Sequence, residues 1–238
     1  MNPFDWFTRR SDTILTEAQQ TRKTNLPPPQ ALDKTPLAQT RLVVMDLETS
    51  GLDTRRDKVL SIGAVVIEQG AIDMGTQYEC TLYRANHKVT ESILIHGIPP
   101  SEIAEGMGAA DALLDFMEFS GMCVFLAFHA GFDQRMLRRG LREDMGQRLQ
   151  HPFIDIAEMA PMLCPDASVG RGGLDEWQKH FHLNNSQRHN ASADALATAE
   201  IALILLSKAR VQGITTLEEL NARLGHWRRL RQARRGTL

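Results

Sequence analysis

Cysteine is scarce. Cys80, Cys123 and Cys164 are the three in 238 residues, an odd number with no metal-ligand spacing, which excludes a disulfide framework and a thiolate metal site. They read as buried thiols of a reducing compartment. No charged-then-apolar leader opens the sequence, and its longest apolar stretches fall well short of the roughly 20 residues that span a bilayer. A cytoplasmic protein with no membrane partner is therefore expected. Positive charge is not in excess either: the net charge is −2, so any grip on a polyanion has to be local. There is no internal repeat, and Pro27-Pro28-Pro29 is the one biased tract. What remains, 42% hydrophobic and 24% charged, suits a globular protein of one good-sized domain plus extensions.

Residues 1–40 differ in character from the rest of the chain. Phe4, Trp6, Phe7, Ile14 and Leu15 have the spacing of a short amphipathic helix, and the proline run beyond them reads as an extended linker. This segment is expected to be an accessory arm that docks on the body of the protein. The main domain is assigned to residues 41–210. It opens with an apolar strand from Leu42, followed by strands over Lys58–Glu68 and Ile72–Leu82 joined at Gly70, an antiparallel meander. Helices are expected at Thr90–Ile95, from Ser101 and at Ala109–Phe119, with Gly121 as a stop. Met122–Phe128 reads as a strand buried on both faces. A helix over Asp133–Glu143, a short strand near Phe153, and helices over Asp155–Leu163, Leu174–Phe181 and Ala191–Lys208 complete the pattern. The order implies an α/β fold, a mixed sheet combining the meander with parallel strands and flanked by helices. Residues 211–238 form a C-terminal helix and an arginine-rich tail, read as solvated.

The chemistry concentrates at Asp46-Leu47-Glu48, where the first strand ends. Side chains at i and i+2 share one face, so two carboxylates meet at one place and invite a cation. Oxygen-only ligands favour Mg²⁺ or Mn²⁺. Asp133 follows the second buried strand, at the sheet edge where α/β sites form; capping of its own helix is the plainer account. His189 and Asp194 bracket the start of the last long helix of the domain, with four residues between them.

Taken together, Asp46-x-Glu48, Phe132-Asp133 and His189 through Asp194 resemble the DEDDh group of 3′-5′ exonucleases, the family that includes the proofreading subunit of the bacterial replicative polymerase. The resemblance runs from about Arg41 to Leu206 and takes in Thr49-Ser50-Gly51-Leu52 and Ile95-His96-Gly97-Ile98. It implies a ribonuclease H-like fold and two Mg²⁺ or Mn²⁺ ions, with Asp46 between them. Glu48 and Asp194 would hold the ion on the side of the attacking water, Asp133 would support the second, and His189 would take the proton from the water. It also implies that Thr49, Leu52, Phe132 and His129 contact the terminal nucleotide. For Leu52 and Phe132, core packing is an equal alternative, and His96 is read as structural. Many relatives carry His-Asn-Ala-x-Phe-Asp where this chain has Phe128-His129-Ala130-Gly131-Phe132-Asp133, so His129 stands in the usual Asn place. The implied substrate is the 3′ end of single-stranded or frayed DNA, favoured over RNA. The implied setting is replication or repair, with a DNA polymerase or another replication or repair protein as partner. The rivals are an exoribonuclease and an inactive polymerase-associated binding module.

Overall fold

The computed structural model describes residues 14–85, 96–170, 172–183 and 190–235. The described strands are β1 (Leu42–Thr49), β2 (Val59–Glu68), β3 (Ala71–Thr81), β4 (Val124–Ala127) and β5 (Phe153–Asp155). They form one sheet of order β3-β2-β1-β4-β5. The β1–β2 and β2–β3 pairs are antiparallel, and β4 and β5 continue the sheet in parallel. The hairpin between β2 and β3 turns on Gln69 and Gly70, both at positive φ, which matches the twist of the flanking strands. The sheet is thus the expected mixed one, with a meander on one side and parallel strands on the other.

The described α-helices are α1 (Glu17–Thr24), α2 (Pro100–Glu105), α3 (Ala109–Ser120), α4 (Gly131–Met145), α5 (Ile156–Leu163), α6 (Leu174–His180), α7 (Ala191–Val211) and α8 (Leu217–Arg235). Alternation along β1 divides the core in two. Val43, Met45 and Leu47 pack beneath α3 and α4 on one face of the sheet. Leu42 and Val44 pack with α5, α6, α7 and α8 on the other. A central strand buried on both faces explains why β1 and β4 read as nearly unbroken apolar runs.

Three expectations need correction. Within the described part of the arm, the helix begins at Glu17, past Ile14 and Leu15, because Thr16 and Gln19 form a reciprocal capping box there. Ile14 is 94% exposed, and Phe4, Trp6 and Phe7 lie outside the described residues. What docks α1 is charge: Arg22 bonds Asp115 and Glu118 on α3. The C-terminal arginines through Arg231 are solvated only in part: Arg229 is exposed, while Arg228 and Arg231 are held. They continue α8, where Arg228 pairs with Glu158 at 2.6 Å and Arg231 stacks over Trp227. Of the cysteines, Cys123 alone is buried, and Cys80 and Cys164 are half-buried; all three are free thiols. The helix expected over Thr90–Ile95 falls outside the described residues.

Candidate active site

Alternation carries the α7-facing side of β1 from Leu42 and Val44 to Asp46 and Glu48, so the apolar face of the strand ends in two carboxylates. Asp194, in the first turn of α7, joins them. One carboxylate oxygen from each of Asp46, Glu48 and Asp194 lies within 4.8 Å of the other two. Three anionic oxygens held this close repel one another, and a hard divalent cation is the group that relieves them.

Helix α7 reaches the sheet because Gly63 lets it. In the register Asp46 pairs with Gly63 and Gly63 with Glu79, so these three residues form one row across β1, β2 and β3. A Cβ on Gly63 would stand 2.1 Å from the backbone of Ala191 and Ser192, so only glycine allows the start of α7 to lie directly on the row. Asn190 then fixes the end of the helix. Its Oδ1 accepts the Ala193 amide at 3.0 Å, and its Nδ2 donates to Glu79 Oε1 at 3.1 Å.

Asp133 arrives from the other layer, in the first turn of α4. It is buried, and burial pushes its carboxyl up to about 8. Hydrogen bonds from its own amide and from that of Leu47 act against this, while the charges of Asp155 and Glu48 add to it. A buried acid beside other acids again suits a nearby cation. The strand-to-helix elbow that delivers Asp133 turns at His129, whose φ is +62°. Among non-glycine residues, Asn, Asp and His are the ones enriched in this left-handed conformation, so His129 suits the backbone of the turn. Asp155 clamps the elbow: its Oδ1 accepts the His129 amide at 3.1 Å while also capping α5 through Ala157 at 2.9 Å.

The remaining sequence-predicted residues divide by exposure. Leu52 is 85% exposed, which removes the core-packing alternative for it. Phe132 is half-buried against the α3 and α4 side of the core, so packing explains part of its character. Thr49 is buried, and its hydroxyl donates to the Gly51 carbonyl at 2.8 Å, locking the turn that presents Leu52. The His129 side chain is exposed. His96 is buried, with its Nδ1 accepting the Ile98 amide at 3.1 Å, a structural role. His189 lies outside the described residues. An apolar hollow of about 290 Å³ between Leu37, Ile67, Leu203 and Ile214 lies toward the far end of α7 from Asp194 and is not part of this cluster.

Residues 43–202 match the family model RNase_T, described as exonuclease. The chain belongs to this exonuclease family. Among its relatives, the PolC-type DNA polymerase III of Clostridium perfringens is 32% identical over 183 residues, covering 74% of this chain and 12% of that one. A DNA polymerase III subunit epsilon-like protein of Rhodobacter capsulatus is 30% identical over 190 residues, covering 78% of this chain and 26% of that one. The chain therefore spans a minor part of the length of these relatives. Two solved structures share the fold. Exonuclease X in complex with 5′ overhanging duplex DNA has a TM-score of 0.60 at 19% identity, covering 76% of this chain and 99% of that one. Exonuclease I of E. coli in complex with a dT13 oligonucleotide has a TM-score of 0.58 at 18% identity, covering 73% of this chain and 42% of that one. The mixed sheet flanked by helices is thus the ribonuclease H-like arrangement of exonucleases.

Within this exonuclease fold, sequence reasoning missed Gly63 and the clamp from Asp155. An isolated glycine inside the apolar run Val59–Ile67 signals a close backbone approach. Nothing in the sequence says which backbone approaches it. Asp155 is recognisable from its position as a helix cap, but its second partner across the sheet is not.

Proposed function

We propose that this chain is a divalent-metal-dependent 3′-5′ exonuclease that removes nucleoside monophosphates from a single-stranded or frayed 3′ end, with DNA preferred over RNA. The convergence of Asp46, Glu48 and Asp194 within 4.8 Å carries the reading. These three and Asp133 are the groups that would hold two Mg²⁺ or Mn²⁺ ions. When bound, such ions supply the positive charge that stabilises the attacking and leaving oxygens of an in-line phosphodiester displacement. The donor set is all carboxylate oxygen, as those ions prefer.

The protein's own groups do the rest. His189, just before the Asn190 cap, takes the proton from the attacking water, a task suited to an imidazole whose ordinary pKa is about 6.5. Leu52 lies against the terminal base, and Thr49 holds the turn that presents it. His129 and Phe132, at the elbow before Asp133, border the terminal sugar. The DNA preference draws support from relatives named as DNA polymerase III proteins and from structural neighbours solved with DNA. Replication or repair alongside a polymerase is the corresponding setting. The intact carboxylate cluster argues against an inactive binding module.

The test is a time course on matched 5′-labelled single-stranded DNA and RNA oligonucleotides with Mg²⁺, Mn²⁺ or EDTA. The expected result is a metal-dependent ladder shortening from the 3′ end, faster on DNA, and abolished by Asp46→Ala in a protein that remains folded. His189→Ala should lower turnover by about 10²–10⁴-fold with a smaller effect on metal affinity. Activity retained in Asp46→Ala would overturn the assignment, and a faster RNA ladder would move the substrate to RNA.

A further inference from the structure

Helix α4 brings more than Asp133. It carries Arg135, Arg138, Arg139 and Arg142 in a chain whose net charge is −2. Arg139 is inward-facing: it bonds Glu143 at 2.7 Å and the backbone carbonyls of Asp57 at 3.0 Å and Arg56 at 3.3 Å, which fastens the loop after β1 to the helix. The other three have a different disposition. At i, i+3 and i+7 they fall within an arc of about 60° on the outer surface. All three are exposed, and among the described residues no acid pairs with them. Of the acids closest to them in sequence, Asp133 is buried in the site, Glu143 is engaged by Lys58 and Arg139, and Asp144 by Arg84 at 2.9 Å.

The stripe begins at the site. The Arg135 guanidinium folds back along the first turn of α4, 3.4 Å from where a Cβ on Gly131 would stand, which puts its charge beside the turn that holds Asp133. From there it runs about 10.5 Å down the helix, roughly three nucleotides at the 3.4 Å rise of a stacked strand. Beside it, the loop fastened by Arg139 offers Arg55 and Arg56, both exposed, and the exposed Leu52.

We propose that Arg135, Arg138 and Arg142, flanked by Arg55 and Arg56, bind the phosphates of the strand that leads into the site. The proposal rests on the nuclease reading and adds where the strand beyond its terminal nucleotide runs. A chain with no overall positive charge needs such a local track, because phosphate neutralisation and counterion release supply most of the sequence-independent affinity for a nucleic acid.

The test compares the full chain with Arg135→Gln/Arg138→Gln/Arg142→Gln and with the matching triple Lys variant. Binding of a fluorescein-labelled 12-nucleotide single-stranded DNA is followed by anisotropy in EDTA between 50 and 200 mM salt. Losing three phosphate contacts should flatten the log-affinity against log-salt slope by about 2. In Mg²⁺, kcat/KM on the 12-mer relative to the p-nitrophenyl ester of thymidine 5′-monophosphate, too short to run along α4 to Arg138 and Arg142, should fall at least about tenfold. The Lys variant should restore most of both. A slope change below about 0.5, or a ratio within twofold of the parent, would overturn the track. A parent protein that hydrolyses neither substrate, yet loses the salt slope in the Gln variant, would sink the nuclease reading and leave the binding surface standing.

Discussion

Leu52 is a large apolar side chain held out in solvent by a turn built to hold it. Thr49 bonds the Gly51 carbonyl, Ser50 bonds Asp57 at 2.9 Å, and Asp57 in turn accepts the Asp53 amide at 2.8 Å. A side chain this exposed contributes nothing to the core, so its substitution separates binding from stability. Leu52→Ala should leave the melting temperature where it is and raise KM for an oligonucleotide about 5–30-fold, the equivalent of losing roughly 1–2 kcal/mol of apolar contact with a base. Steady-state kinetics beside a thermal melt checks this, and an unaltered KM would remove Leu52 from the binding surface. Asp46 makes the complementary point. Its removal should leave the metal-free protein as stable as the parent or more so, because two like charges, Glu48 and Asp194, lose a neighbour.

At the scale of elements, the site depends on how closely α7 lies on the sheet. Gly63 sets that distance, since the backbone of Ala191 and Ser192 occupies the space a side chain would need. Gly63→Ala should cost about 1–3 kcal/mol by overpacking. It should also lift Asp194 away from Asp46 and Glu48. The second effect is measurable without turnover: Mn²⁺ or Mg²⁺ at 100 times its Kd should stabilise the parent by about 2.7 kcal/mol, and Gly63→Ala should lose most of that gain. A variant with a full metal-induced rise in melting temperature would show that α7 adjusts without disturbing the cluster.

At the scale of the molecule, the arm and the body share a cleft far from the cluster. Pro27, Pro28 and Pro29 close over His151, with Lys23 and Arg148 on its walls. His151 is buried with its ring 5.2 Å from that of Phe125, and burial lowers its pKa while a bond to the Gly121 backbone acts against the shift. The unfolded chain therefore binds a proton that the folded chain resists. Stability from this group is complete above about pH 6.5 and is lost as pH falls below that value, by at most about 1.4 kcal/mol per pH unit. Urea unfolding of the parent and of His151→Gln between about pH 5 and 7 should show a shallower profile in the variant, and parallel profiles would exclude His151 as the source.

Much of this protein was legible from its sequence because the signals were local. The apolar runs of β1, β2 and β4 and the turn at Gly70 follow from periodicity and backbone preference, which a short window of residues contains. The pairing of Asp46 with Glu48 follows from the two-residue repeat of a strand, and the start of α1 at Thr16 and Gln19 was written in a four-residue box that the apolar pattern before it obscured. Tertiary structure alone decided the rest. That Gly63 meets the backbone of Ala191, that Asp155 reaches the His129 amide, and that Arg139 binds the loop carrying Leu52 are contacts between segments 26 to 128 residues apart. No periodicity encodes such distances. They are set by how two layers of helices settle on one sheet, and the exposure that distinguishes Leu52 from Phe132 exists only once those layers have packed.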